Sequence, residues 1–369
     1  MIGPIFKKDS MERSLGLKLP PSMPLRITIK EFARVANCSI STISNAMNGT
    51  GRMSPARRNE IRRLASQIGF QPNIAGRNLR LQRTDTIGLL FNPSPSELFK
   101  NIFYVEVMEG LEETLYEKDY NLLLGSGRKE LAQGQIPKFV LKGGVDLLVL
   151  VGPFDDSQLE VLQQSPCPIF LLDSSHDEFP IDSLTTDGHG GLMQAVGYLT
   201  ELGHRQIAFL AYDLPNYNIN LRIKGFQAAA RRFGLSDQQA VLIHNFQTND
   251  ELFPILQRCL FADQRPTAII CVNDTQAVFV NNALKKLGLN VPRDISLIGF
   301  DDDFVVSQQE PPLTTVRIER KGLGSEGAKM ILKRLKTPDL PIQKAFQPVT
   351  LVVRESTAPP SLDFTKRHQ

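Results

Sequence analysis

The sequence predicts an α/β protein, with a small all-α head at the N-terminus and a large two-lobed body with parallel sheets. Start signals for three short helices fall between Thr28 and Gly69, and from Thr86 onward apolar strands alternate with helices. Apolar strands that alternate with helices indicate parallel sheets covered on both faces. The body is longer than one hydrophobic core comfortably supports, so two similar lobes are expected.

The first two helices of the head are predicted from their capping residues. Thr28 and Glu31 form a T-x-x-E capping box, which starts a helix at about Ile29. Ser39 can cap a second helix over residues 40–48. Two short helices with so tight a connection indicate a helix-turn-helix.

The third helix is predicted between Ser54-Pro55, a cap followed by proline, and Gly69, a C-terminal stop. It carries an apolar stripe for the other two helices to cover. The stripe consists of Ile61, Leu64, Ala65 and Ile68, and the shared core is expected to include Phe32, Val35, Ile43, Met47 and Leu64. Helices this short are stable only when they pack together.

Charge is distributed unevenly along the chain. Residues 25–84 hold eleven Lys and Arg against two acidic residues, while the whole chain has a net charge of +3. A basic head therefore precedes an acidic body, which favours nucleic acid as a partner. An inert three-helix cap would explain the apolar stripe but not the basic rim.

The second helix shows uncharged groups to solvent, namely Ile40, Ser41, Asn45 and Asn48. Such groups can read base edges while surrounding Arg side chains meet phosphates. Residues 28–80, with the order S-x-S-T-x-S-x-x-x-N-G, third helix and G-F-Q-P-N, resemble the DNA-binding head of the lactose/galactose repressor (LacI/GalR) family.

This resemblance implies that operator DNA is a partner and that the second helix enters the major groove, with Ile40, Ser41 and Asn45 at base-reading positions. The last of these positions is often Arg in the family and is Asn45 here, so the operator sequence cannot be inferred from those of family members. The residues expected to contact DNA are Thr28, Ser39, Ile40, Ser41, Thr42, Asn45, Asn48, Arg52, Arg58, Asn73, Arg77 and Leu79.

By composition, residues 73–84 are predicted to form a short basic linker. By resemblance they are the hinge helix that orders on DNA, with Leu79 inserted into the minor groove, where apolar wedges bend a duplex. Gly76 should weaken the isolated hinge helix by about 1 kcal/mol.

The body resembles the same family, and the periplasmic sugar-binding proteins that share its fold, in stretches such as LGHRQIAFL, VNDTQAV and PRDISLIGFDDD. The expected strands are 87–91, 120–124, 147–151, 169–172, 207–211, 268–272 and 295–300, and the expected helices are 104–118, 131–142, 221–233 and 276–287. The expected organisation is a disordered extension (1–24), the helix-turn-helix domain (25–72), the hinge (73–84), a periplasmic-binding-protein-like (type I) effector-binding and dimerisation domain (85–357) and a tail (358–369).

A small-molecule effector site is expected where strands end at the rim of a cleft between the lobes. Asp274 follows one strand and Arg222 begins a helix of the same lobe, with Phe103 and Tyr104 of the other lobe supplying an apolar face. The alternative is that Arg222 and Asp274 pair as a structural bridge. By resemblance all four match effector-contact positions, Asn216 and Phe246 fall near two others, and the effector is a sugar or sugar derivative.

Enzymatic chemistry, cofactors and metals are not expected. The G-x-G-x-x-G at residues 322–327 lacks the βαβ context of a dinucleotide site, so an oxidoreductase is disfavoured. His204 should have a structural hydrogen-bonding role, and Asp301, Asp302 and Asp303 should form a solvated loop rather than a metal site. No activated nucleophile, catalytic base or Cys/His ligand spacing is present in the sequence.

The leading hypothesis is a cytoplasmic transcriptional regulator that acts as a homodimer and represses its genes. The N-terminus has no signal-peptide pattern, and no apolar run approaches the length of a membrane span. The tail is too short for the heptad bundle that would build a tetramer. The alternative from another class is a sugar-binding protein without regulatory DNA function.

Overall fold

The computed structural model describes residues 27–70, 83–92, 99–262 and 264–361. The chain divides into two compact units, one ending at Thr84 and the other beginning at Asp85. The extension 1–24, the hinge positions Asn73, Gly76, Arg77 and Leu79, and most of the tail lie outside the described residues.

The first unit contains three helices in its described part, and all three were predicted. They are α1 (Ile29–Val35), α2 (Ile40–Asn48) and α3 (Pro55–Gln67). The capping box at Thr28 forms, and Ser39 and Ser54 cap the next two helices. Their shared core is built around Phe32, Ile43, Ala46, Ile61, Ala65, Ile68 and Phe70. Val35 was predicted for this core but lies outside it, half-buried.

The second unit consists of two lobes, each with a six-stranded sheet. Lobe 1 has strand order β11-β5-β4-β3-β1-β2, and its neighbouring strands are parallel. Its elements are β1 (Thr86–Phe91), α4 (Ile102–Tyr116), β2 (Asn121–Ser126), α5 (Arg128–Leu131), α6 (Lys138–Leu141), β3 (Leu147–Val151), α7 (Asp156–Gln163), β4 (Ile169–Leu172), β5 (Asp182–Thr186) and, later in the chain, α13 (Arg320–Lys336) and β11 (Lys344–Gln347).

Lobe 2 has strand order β12-β10-β9-β8-β6-β7, parallel except for the short edge strand β12. Its elements are α8 (Gly188–Glu201), β6 (Ile207–Leu210), α9 (Tyr217–Arg232), β7 (Ala240–Ile243), α10 (Asn249–Leu260), β8 (Ala268–Cys271), α11 (Asp274–Lys286), β9 (Ser296–Asp301), α12 (Phe304–Ser307), β10 (Thr314–Arg317) and β12 (Thr350–Val352). The predicted strands and most predicted helices appear within a few residues of their expected bounds.

The chain crosses between the lobes three times, after β5, after β10 and after β11. Hydrogen bonds join these crossovers: the Asp187 amide donates to the Gln347 carbonyl at 2.8 Å, and the Gln347 side-chain amide donates to the Glu319 carbonyl at 3.0 Å. The lobes are therefore connected by one compact group of linked segments.

Two features of the body differ from the sequence prediction. The single helix expected over 131–142 is two short helices, because Gly134 takes a left-handed conformation and Pro137 precedes α6. Strand β5 was not predicted, because its residues are mostly polar although all are buried. Its Asp182 accepts two hydrogen bonds from Arg334 of α13, which compensates for burying the charge.

The G-x-G-x-x-G motif lies inside helix α13, so it is not a phosphate-binding loop. A Cβ atom on Gly324 would lie 2.0 Å from the carbonyl oxygen of Val107, and one on Gly110 would lie 1.9 Å from that of Lys321. The glycines thus allow the backbones of α4 and α13 to touch, and Ser325 donates to the Gly110 carbonyl at 3.1 Å. The motif serves helix packing.

Candidate functional site

The exposed side of α2 is the candidate DNA-reading surface. The Ser39 hydroxyl accepts from the Thr42 amide at 3.0 Å and lies 2.7 Å from the Ser41 hydroxyl, which organises the start of the helix. Ile40 is 44% exposed although it is a large apolar residue. An exposed aliphatic side chain at a helix N-terminus suits contact with a thymine methyl group in the major groove.

Asn45 is held against the turn that follows α2. The Thr50 hydroxyl donates to Asn45 Oδ1 at 3.3 Å. A Cβ atom on Gly51 would lie 2.8 Å from Asn45 Nδ2, and Gly51 has a φ of 74° that favours glycine. The carboxamide is therefore oriented before any DNA contact, an arrangement that sequence patterns did not reveal.

Some arginines of the head hydrogen-bond to its own backbone, whereas others are simply exposed. Arg58 donates to the Gly51 carbonyl in the turn after α2 at 3.4 Å, and Arg62 donates to the Ala46 carbonyl in the last turn of α2 at 3.1 Å. Arg52 and Arg63 are exposed. Thr28 is occupied in its capping box, where its hydroxyl lies 2.9 Å from Glu31 Oε2. Asn48 belongs to α2, but its side chain lies outside the described structure.

Arg222 is the centre of the candidate effector site. Its guanidinium lies 3.7 Å from the centroid of the Phe300 ring and donates to the Val272 carbonyl. It also pairs with Asp301 at 3.1 Å. The side chain is buried, and its Nε atom has no partner among the described residues. A buried guanidinium with a free donor can hold an oxygen of a bound ligand.

Asp173 of lobe 1 and Asn218 of lobe 2 join across the lobes beside Arg222. Asn218 donates to the Asp173 carbonyl at 2.9 Å and to its carboxylate at 3.0 Å, and accepts from the Thr185 hydroxyl at 2.6 Å. Asp173 has a φ of 57°, which turns the chain immediately after β4. We call Asp173, Asn218, Arg222 and Asp301 the inter-lobe cluster.

Burial raises the pKa of both carboxyl groups of this cluster above the ordinary value of an aspartate. Burial raises the pKa of Asp173 to about 7, although Arg222 favours its charged form. Burial likewise raises the pKa of Asp301 to about 6 against the effect of Arg222. Burial also raises the pKa of the Tyr104 hydroxyl, and both carboxylates raise it further. The cluster therefore offers carboxyl groups, an amide and a guanidinium as ligand partners.

The Asp301–Asp303 segment is not the solvated loop that the sequence predicted. Asp301 pairs with Arg222, Asp302 bridges Arg317 and Arg354, and Asp303 accepts from Arg320 at 2.6 Å. Each carboxylate has its own arginine partners from elsewhere in the chain, one for Asp301, two for Asp302 and one for Asp303. Such partners cannot be recognised from the local sequence.

Asp274 lies beneath this segment rather than in the cluster. It is 0% exposed, accepts from the Thr315 hydroxyl at 2.7 Å and accepts from the Asp303 amide at 2.7 Å. This placement does not support the predicted ligand contact. It does not support the alternative bridge either, because Arg222 pairs with Asp301. Asp274 instead anchors the turn that carries Asp301.

The remaining predicted effector residues are Phe103, Tyr104, Asn216 and Phe246. Phe103 packs partly against the cores of both lobes, and Tyr104 meets it edge to face with ring centroids 5.3 Å apart. Asn216 is the N-cap of α9, nearly two turns before the helix reaches Arg222. Phe246 is 1% exposed and packs on Tyr212 in the lobe 2 core, which does not support a ligand contact.

Sequence reasoning missed Asp173, Asn218 and Asp301 as cluster residues. Asp173 directly follows strand β4, and Asp301 is the last residue of β9, so both lie at the carboxyl ends of apolar strands, the signal that drew attention to Asp274. Asn218 sits one helical turn before Arg222, on the same face of α9. The rule that ligands bind beyond the carboxyl ends of parallel strands would have identified the two aspartates.

His204 has the structural role expected of it. It is buried, with one ring nitrogen 2.8 Å from the Thr267 hydroxyl and the other 2.8 Å from the Ala358 carbonyl. Across the described part of the chain, no group of three His, Cys, Asp or Glu side chains is arranged to hold a metal ion. Nor is any described helix long and apolar enough to cross a membrane.

Comparison with known families identifies both units. Residues 28–73 match the bacterial regulatory proteins of the lacI family, and residues 196–357 match the periplasmic binding protein-like domain. The ribose operon repressor of Escherichia coli (strain K12) is 30% identical over 86% of this chain and 96% of its own length. Catabolite control protein A of Priestia megaterium is 28% identical over 90% and 100%.

Solved structures of transcriptional regulators are also similar to this chain. A CelR transcriptional regulator in complex with cellobiose has a TM-score of 0.65 at 25% identity and covers 90% of this chain and 100% of its own. The lac repressor dimer bound to operator and an anti-inducer has a TM-score of 0.74 at 23% identity, covers 90% and 99%, and shows the shared fold. From the helix-turn-helix head, the two-lobed body and these relatives together, the chain belongs to the lacI family of bacterial regulatory proteins.

Proposed function

We propose that this chain is a cytoplasmic repressor that binds a near-palindromic operator as a homodimer. Its affinity for the operator falls or rises when a small molecule binds its inter-lobe cluster. In this proposal residues 25–72 read the DNA, 73–84 form the hinge, and 85–357 bind the effector and dimerise. The protein is a regulator and not an enzyme, as its family indicates.

The observation that carries the proposal is that the inter-lobe cluster takes groups from both lobes. Asp173 comes from lobe 1, while Asn218, Arg222 and Asp301 come from lobe 2. A ligand that contacts all of them has a different affinity for each arrangement of the lobes. It can therefore shift the equilibrium between the arrangements by that difference.

A sugar or sugar derivative is the proposed effector. The cluster combines acceptors and donors around the Arg222 fork, which lies over the Phe300 ring, and Phe103 packs against the same core as Phe300. Hydroxyl groups both donate and accept, so a polyol can satisfy such a set. The cellobiose complex of the CelR regulator and the ribose operon repressor name carbohydrates for two relatives.

Selection of operator fragments from random DNA tests this function. We expect the full chain to enrich a palindromic site. We also expect a sugar such as ribose or cellobiose, and not a nucleobase tested beside it, to change the affinity for that site. The matched control is Arg222→Lys, which should retain the site but not respond.

Failure to retard any DNA in a mobility shift would instead favour the sugar-binding protein without regulatory DNA function. Enrichment of a site with no response to any compound that binds the chain would contradict effector control.

A further inference from the structure

A second arginine beside the inter-lobe cluster connects the lobes. Arg320 is the first residue of α13, directly after the crossover from β10. From this position one side chain reaches both lobes. On lobe 1 it pairs with Glu106 of α4 at 3.3 Å. On lobe 2 it donates to the Asp303 carboxylate at 2.6 Å and to the Asp301 carbonyl at 2.8 Å.

The backbone of Arg320 is fixed to lobe 1. Gly324 and Gly110 let α13 lie directly on the backbone of α4. The next residue, Lys321, pairs with Glu109 at 3.1 Å and Glu113 at 2.8 Å, both also on α4. If the lobes separate, Arg320 should therefore stay with lobe 1 and lose its two acceptors on lobe 2.

Burial makes that loss costly. Arg320 is only 6% exposed, and its Nε atom has no partner among the described residues. A buried charge that loses its hydrogen-bond acceptors is strongly disfavoured until water replaces them. The lobe 2 acceptors of Arg320 belong to Asp301 and Asp303. They lie in the turn that also presents the Asp301 carboxylate to Arg222, so Arg320 and the effector site contact the same turn.

We propose that Arg320 is a latch that holds the two lobes in the described arrangement through Glu106 on one side and the Asp301–Asp303 turn on the other. The latch acts through the lobe equilibrium and needs no ligand. Removing it shifts the population toward separated lobes. Operator affinity then changes without effector, a consequence that rests on the proposed function.

The test measures the distance between spin labels on the full chain without ligand. Labels on Lys100→Cys of lobe 1 and Thr275→Cys of lobe 2, both exposed, are introduced with Cys38, Cys167 and Cys259 changed to Ser. We expect Arg320→Met to move the distance distribution to longer values. Lys321→Met is the matched control, because its ion pairs lie within lobe 1, and it should leave the distribution unchanged.

Glu106→Gln, at a half-exposed position, provides a second variant that should fold and shift the distances in the same direction. Distances in Arg320→Met and Glu106→Gln that equal those of the parent, at unchanged melting temperature, would overturn the latch. If distances shift while operator affinity stays constant, the latch stands and the proposed coupling to DNA fails.

Discussion

Arg222 of α9 and Asp301 at the end of β9 form an ion pair at 3.1 Å although they are 79 residues apart in the chain. The pair lies beside Asp173 and Asn218, which join the two lobes. The pair therefore places the proposed ligand contacts at the junction of the two lobes.

Loss of this pair should abolish the response to effector while operator binding survives. Arg222→Lys removes the forked donor, and Asp301→Asn removes the charged acceptor. Each should lower effector affinity by about 1 to 3 kcal/mol, because a buried partner is left unsatisfied. Effector titrations of the operator complex provide the measurement, with Lys224→Met on the exposed face of α9 as control. A normal response in both variants would contradict the ligand assignment.

Asp274→Ala should destabilise the body. The substitution removes the acceptor of the buried Thr315 hydroxyl and of the part-buried Asp303 amide, and leaving the buried hydroxyl without a partner alone costs about 1 to 3 kcal/mol. Denaturant unfolding measures this loss. Thr315→Val, which removes only one of the bonds, should cost less. Unchanged stability with a lost effector response would instead support Asp274 as a ligand contact.

The stability of the body should fall as the pH rises through the range in which Asp173 and Asp301 ionise. Their folded-state pKa values, about 7 and about 6, lie above the ordinary value of an aspartate. Their contribution is complete below the unfolded pKa near pH 4 and is lost as pH passes about 6 to 7. Melting temperatures from pH 4 to pH 8 should fall less steeply for Asp173→Asn than for the parent. Asp119→Asn, an exposed carboxylate, serves as the control, and identical slopes in all three proteins would refute the assignment.

Gly324→Ala should destabilise the protein, whereas Gly322→Ala should have little effect. The added methyl at position 324 would lie 2.0 Å from the Val107 carbonyl oxygen, whereas at position 322 its nearest neighbour is the end of a side chain, the Gln347 amide, at 3.0 Å. Overpacking of this kind costs about 1 to 3 kcal/mol. Thermal unfolding of the two variants tests the packing role of the motif, and equal melting temperatures would contradict it.

Thr50 should sharpen base reading by Asn45. Asn45→Ala should relax one half-site position by about 1 to 3 kcal/mol if the carboxamide reads adenine. Thr50→Val removes the hydroxyl that orients Asn45 and should relax the same position less, while Thr50→Ser should restore it. Operators selected by the four proteins give the answer. If the Thr50→Val operators match those of the parent, the hydroxyl does not position Asn45.

The sequence by itself determined the local elements and the division of labour between head and body. Capping residues such as Thr28, Ser39 and Ser54 act on amides within the next turn, so the three head helices could be located almost to the residue. The apolar strands β3 and β4 were equally clear, because a strand buried on both faces requires a continuous apolar run.

Only the tertiary structure decided which charged groups meet. Asp274 and Asp301 both lie at the carboxyl ends of apolar strands, yet Asp274 is buried beneath a turn and Asp301 pairs with Arg222. Strand β5 is mostly polar yet buried, and Arg334, 152 residues away in the chain, pairs with its Asp182. A side chain's partner across the fold depends on packing over long sequence separations, and no local pattern in a single sequence encodes that.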